Sequence, residues 1–250
     1  MQRMTRREFV GSAAFFSLAA TQLGRAAATS GVRASQQRKM TIDLRCGSIG
    51  VSANQTKAID LANRHGFESV TPDGNYLAVV SPGEMTQLLA DLESKRLVWG
   101  AAGLPVDFRG DDATFAEGMR NLPAIADGLQ LAGVTRVGTW LMPCHDSLTY
   151  RKNFDSHVRR LRAVSEVLAD RELRFGLEYV GPKTSWTAQR YPFIHTMAET
   201  LELIDAIDVD GVGLVLDSWH WYTANETVDD LLALDNRQVV ACDLNGRTSA

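Results

Sequence analysis

The chain has 250 residues, 45% hydrophobic and 22% charged, with a formal net charge of −4. These values fit a globular domain of ordinary composition and exclude a disordered or fibrous chain. No basic block stands out after the first 40 residues. That excludes a broad nucleic-acid-binding face, because neutralising phosphates needs clustered lysine and arginine.

The chain opens on a leader pattern. Thr5-Arg6-Arg7-Glu8-Phe9-Val10 is a twin-arginine signature, an apolar stretch runs from Val10 to about Leu23, and Ala26-Ala27-Ala28 offers a small-residue cleavage site. The expectation is a signal peptide over 1–28, export by the twin-arginine route, and a periplasmic or extracellular mature protein. The apolar stretch is shorter than the ~20 residues a membrane span needs, so no stable membrane insertion is expected once the leader is removed. Removing 1–28 takes away four arginines and one glutamate and leaves a charge of −7. A polar linker follows over 29–39.

From residue 40 short apolar runs alternate with longer helical segments. Strands are expected over 40–46, 67–71, 97–102, 135–141, 173–180, 211–217 and 238–244, and helices over 54–65, 82–95, 112–132, 150–171, 196–207 and 225–234. Ser81-Pro82-Gly83-Glu84 and Thr196-Met197-Ala198-Glu199 read as capping boxes, and Gly66 and Gly133 as left-handed helix caps. Pro123 is expected to kink or divide the third helix. Runs such as Val212-Gly213-Leu214-Val215-Leu216 are apolar almost throughout, the pattern of parallel strands covered on both faces. Strict alternation leaves a doubly wound sheet or a barrel. No Gly-rich phosphate motif follows any strand, while polar and acidic residues end several, which favours a barrel with its site at that face. The fold expected over 40–250 is a (β/α)8-type TIM barrel of class α/β, with seven strands visible and the last βα unit lacking. Cys46, Cys144 and Cys242 are far apart, form no C-x-x-C pair, and read as buried free thiols.

Three acidic residues end three successive strands: Glu178, Asp217 and Asp243. Carboxylates gathered in one cleft repel one another unless a cation or protons compensate. Oxygen-only ligands suit Mg²⁺ or Mn²⁺, and a histidine among them admits Zn²⁺ or Co²⁺. His220 lies three residues past Asp217 between Trp219 and Trp221, placed to reach a metal or a substrate hydroxyl. Trp219 offers a flat apolar surface for a sugar. His145 ends the fourth strand, and Lys183 and Trp186 lie in the long loop after the fifth, where substrate-binding roles are expected. His65 reads as a helix C-terminal residue, and His157 as solvent-facing on the fourth helix.

The strand-end Glu178 followed by Leu216-Asp217-Ser218-Trp219-His220 and a strand ending near Asp243 resembles the xylose-isomerase-like superfamily of sugar isomerases and epimerases. The resemblance implies metal ligation by Glu178 and Asp217, contact of His220 with substrate or a second metal, and an Asp243 standing where a histidine is usual. It implies proton abstraction next to a carbonyl through a metal-stabilised enediolate, with Glu178 and His220 as the catalytic residues. Expected partners are a small sugar, phosphorylated or not, or a polyol and, for the assembly, a second copy of the chain. A non-catalytic or vestigial carbohydrate-binding barrel is the competing reading. A metal-dependent phosphodiesterase of the same fold is disfavoured by the five histidines and the acidic charge.

Overall fold

The computed structural model describes residues 40–245; the leader, the linker and residues 246–250 lie outside them. All seven expected strands form, each shorter than its apolar run. They are β1 (Asp43–Leu44), β2 (Ser69–Val70), β3 (Val98–Trp99) with β4 (Ala102–Gly103), β5 (Arg136–Trp140), β7 (Arg174–Glu178), β9 (Val212–Asp217) and β10 (Val239–Asp243). The third run is split. Its first half pairs with β2 and its second half with β5, so the chain passes from one sheet segment to the next across Gly100 and Ala101. A side chain at Gly100 would collide with the Asp43 carboxylate, which explains the residue at that bend.

Every pairing among these strands is parallel, and neighbours follow chain order: β1-β2-β3, then β4-β5-β7-β9-β10. A doubly wound sheet reverses order at a switch point; a barrel does not. The sheet curls as a partial barrel, and among the described residues no backbone ladder joins β1 to β10. Instead Arg45 Nη1 reaches Asp243 Oδ2 at 3.2 Å, linking the ends of the first and last strands. Gly138, Gly176 and Gly213 stand in register across β5, β7 and β9. The space their missing side chains leave is taken by Val215 and Val240.

The long helices are α1 (Gln55–Arg64), α3 (Pro82–Ser94), α4 (Asp112–Leu131), α5 (Tyr150–Ala169) and α7 (Met197–Ile207). Short ones are α2 (Gly74–Leu77), α6 (Lys183–Trp186), α8 (Ser218–Thr223) and α9 (Val228–Leu232). Both capping boxes close, at Ser81/Glu84 and Thr196/Glu199, and Gly66 and Gly133 are left-handed at φ 73° and 77°. His65 is the C-cap of α1.

Besides the split third strand, the fold differs from the expectation in four places. The α4 helix is not divided at Pro123: buried Leu122, Ile125, Ala126 and Leu129 bracket the proline and hold both halves against the core. His157 is not solvent-facing but 6% exposed, its ring packed on Phe108 and Phe193. The helix expected over 225–234 shrinks to α9, with α8 formed ahead of it. Last, β6 (Cys144–His145) and β8 (Tyr191–Pro192) pair antiparallel, a ribbon of two residues each without a sequence period to announce it. The three cysteines are free; Cys144 is buried and the other two are partly exposed.

Candidate active site

Parallel register brings the strand ends together. Trp140 stands opposite Glu178, and Asp217 opposite Asp243, at the C-terminal edge of the sheet where a barrel gathers its site. Asp217 is 1% exposed and is the N-cap of α8, accepting from the backbone N–H of Trp219 at 2.7 Å and of His220 at 3.1 Å. Its other oxygen accepts from the Asn245 amide. The cap starts a helical turn that swings His220 back over the strand end, leaving its Nε2 3.8 Å from Glu178 Oε1.

One donor atom each from Glu178, Asp217 and His220 lies within 4.8 Å of the other two. Two ligands on opposite sides of an ion at ~2.0–2.4 Å stand about 4–5 Å apart, so the spacing fits a single divalent cation. The electrostatics fit as well. Burial first, then the charges of Asp243 and Asp217, push the Glu178 carboxyl up to about 8, while Arg45 pulls the other way. Burial depresses His220 against the pull of Asp217 and Asp243, which favours the neutral imidazole that metals bind. His220 Nδ1 is buried without a hydrogen-bond partner. A carboxyl pushed up by burial and by neighbouring negative charge is what a cation would relieve.

The expected ligand Asp243 falls outside this group. It is one strand over from Asp217, and its Oδ2 is engaged by Arg45. His220 takes the third place instead. Trp219 stacks on Tyr222 with ring centroids 5.9 Å apart. Lys183 and Trp186 both lie on α6, with Lys183 Nζ 5.9 Å from the Trp186 ring and that ring stacked on His195 at 4.7 Å. They are not among the three gathered donors.

His145 lines a separate cavity of about 360 Å³, together with Arg109, Met142, His157, Arg160 and Gln189. Arg109, His157 and Arg160 were not anticipated as site residues. Arg109 follows β4 in a strand-to-helix loop, so its position on the functional face was a usable signal. The other two are on α5 in a row with Asn153 at helical spacing; of these only His157 had a reading from the sequence, as solvent-facing.

The family profile described as "Xylose isomerase-like TIM barrel" matches residues 59–249. A xylose isomerase domain protein from Alicyclobacillus acidocaldarius shares 31% identity, with a TM-score of 0.66 over 74% of this chain and 66% of its own. The IOLI protein, solved with a bound zinc atom, shares 18% identity, with a TM-score of 0.65 over 82% of this chain and 72% of its own. A 3-keto-D-glucoside 4-epimerase from E. coli shares 14% identity, with a TM-score of 0.63 over 82% of this chain and 78% of its own. The chain thus spans about two thirds of the first of these and somewhat more of the others. Among curated proteins none matches. The matched span, the parallel strand order and the strand-end acids lead to one conclusion: the chain belongs to the xylose isomerase-like TIM barrel family.

Proposed function

We propose that the protein is a divalent-metal-dependent isomerase or epimerase of a small sugar or polyol. The observation that carries this reading is the convergence of Glu178, Asp217 and His220 donors within 4.8 Å at the ends of adjacent parallel strands. Two carboxylates and one imidazole suit Mn²⁺ or Mg²⁺ and also admit Zn²⁺ or Co²⁺. The zinc atom of the IOLI structure supports a metal at this face, and the epimerase supports a sugar substrate.

When bound, the ion polarises a substrate carbonyl and its neighbouring hydroxyl, which eases removal of the proton between them. Glu178 accepts that proton or orients the group that does. Asp217 is fixed by two backbone N–H groups and the Asn245 amide, so its carboxylate is aimed before substrate arrives. His220, with Nε2 3.8 Å from Glu178, would complete the ligand set as a neutral imidazole. The leader pattern of 1–28 supports twin-arginine export to the periplasm, a route that carries folded protein and lets the ion load in the cytoplasm first.

The test is solvent isotope exchange. Ketoses incubated with Mn²⁺-loaded protein in D₂O are expected to gain deuterium next to the carbonyl, with the rate lowered ~10²–10⁴-fold in Glu178→Gln. No exchange into any ketose or aldose, with metal bound, would contradict the proposal. The competing reading, a barrel that binds sugar without turnover, is favoured by Asp243 being tied to Arg45 instead of joining the donor group; it predicts sugar binding that survives chelation.

A further inference from the structure

The cavity beside the mouth is lined by a half-buried cation, Arg109, that forms no ion pair among the described residues. Arg109 has its guanidinium carbon 4.2 Å from the centroid of the Phe108 ring and 4.2 Å from that of Trp140. Its Nη2 donates to Thr139 Oγ1 at 2.9 Å and to the Trp140 carbonyl, and its Nε is buried without a partner. Burial lowers its pKa to about 10 against the opposing charge of nearby Asp107, whose carboxylate accepts from the Arg109 backbone N–H and not from its guanidinium. The guanidinium's own hydrogen bonds go only to neutral oxygens, and its fork geometry matches an oxyanion.

The surroundings hold that cation in place. Arg160, 8% exposed, donates through Nη1 to the carbonyls of Phe108 at 2.8 Å and Gly110 at 2.7 Å, the residues on either side of Arg109. Its own charge is met by Asp112 at 2.5 Å, so Arg160 is a positioning residue, and Arg109 is the cavity cation without an ion pair among the described residues. The two cavity histidines have complementary roles. His145 Nδ1 accepts from the N–H groups of Ser147 and Leu148, both at 3.0 Å, so the neutral ring carries its proton on Nε2, as a donor. His157 Nδ1 lies 2.9 Å from the Asn153 carbonyl and donates to it, leaving Nε2 as a buried acceptor without a partner. Asp146 is the single carboxylate in the lining. A volume of about 360 Å³ lies within the ~300–1,000 Å³ of small-molecule sites.

We propose that this cavity seats an oxyanion, a phosphate or carboxylate group borne by the polyhydroxylated substrate, with Arg109 and His145 donating to the anion and His157 accepting from a hydroxyl. The position fits one molecule spanning both sites. Arg109 bonds to the Trp140 carbonyl, and Trp140 is the register partner of Glu178, so Arg109 is anchored at the end of the strand next to the one that carries Glu178. The substrate class is thereby narrowed to sugar phosphates or sugar acids. This rests on the isomerase reading above, but the test separates the two.

Full-length protein treated with chelator is titrated with inorganic phosphate, and separately with acetate, by calorimetry and by NMR of the His145 and His157 imidazoles. Saturable binding at or below about 10 mM by either anion, with both imidazole resonances shifting, supports the proposal; the anion that binds more tightly identifies the substrate's charged group. Arg109→Gln is expected to weaken that binding at least tenfold and Arg109→Lys to restore part of it, whereas Glu178→Gln leaves it unchanged. Should Arg109→Gln fail to fold, the wild-type imidazole shifts decide. Absence of saturable binding by both anions, or binding indifferent to Arg109→Gln in a folded variant, overturns the anion subsite while leaving the metal group of Glu178, Asp217 and His220 intact.

Discussion

The acidic group and the cationic cavity lie side by side at the C-terminal edge of the sheet, yet they are built by different means. Glu178 and Asp217 are the last residues of β7 and β9, so strand register alone aligns them, and the α8 turn capped by Asp217 adds His220. Arg109 is on a loop, and its backbone is fixed by Arg160 reaching across from α5, 51 positions along the chain by their numbering. A site on strand ends inherits its geometry from the sheet. A site on a loop needs a second element to hold it, so its parts should fail together when the holder is removed.

The largest effect is therefore expected at Arg160. Arg160→Met removes two charge-assisted hydrogen bonds to the Phe108 and Gly110 carbonyls, each worth ~1.5–3 kcal/mol, so a stability loss of roughly 3–6 kcal/mol is predicted from urea unfolding. Metal affinity of the folded variant should stay within about threefold of wild type, a change well under 1 kcal/mol; a loss of metal binding to match the loss of stability would break the distinction between the two sites.

His157 comes next. Its pKa falls from 6.5 to about 4, chiefly through burial, with the charges of Arg109, Arg160 and His145 adding to it. The unfolded chain takes up the proton first on acidification. The stability contribution is thus complete above pH 6.5 and is lost progressively as pH falls toward 4, a difference of about 3 kcal/mol. Unfolding free energies at several pH values in this window should fall more steeply for wild type than for His157→Gln. Parallel curves would mean that the ring is not held neutral by its burial.

The smallest effect is expected where the sheet ends meet. Arg45 and Asp243 are 44% and 29% exposed, and such pairs contribute ~0–1 kcal/mol, so Arg45→Gln should shift stability by less than about 1 kcal/mol. The same change removes the one charge that holds Glu178 down, so the Glu178 carboxyl should move further up, as followed by carboxyl NMR. A downward move would show that Arg45 does not act at the acidic group.

The contrast between the two sites also explains what the sequence made legible. Apolar runs ending in an acid mark strands buried on both faces, and three of them in a row place Glu178, Asp217 and Asp243 at one edge from the pattern alone. His220 was legible because it follows Asp217 within one helical turn. What Asp243 does was not, because its partner Arg45 is 198 positions away and only the curl of the sheet brings them together. His157 was missed for a related reason. It shares a helical row with Asn153 and Arg160, and polar residues in such a row read as solvated until Phe108 and Phe193 are seen to cover them. The break in the third strand, at Gly100, reflects a clash with Asp43, again a contact between distant residues.

The central claim is that Glu178, Asp217 and His220 share one cation, and calorimetric titration of the chelator-treated protein with Mn²⁺ tests it most directly. The account predicts one ion per chain, with proton release near neutral pH as Glu178 gives up its proton, and affinity at least 100-fold lower in Glu178→Gln and in Asp217→Asn, beyond the ~10–100-fold that outer partners of a metal site contribute. Mn²⁺ affinity unchanged in both folded variants would contradict it.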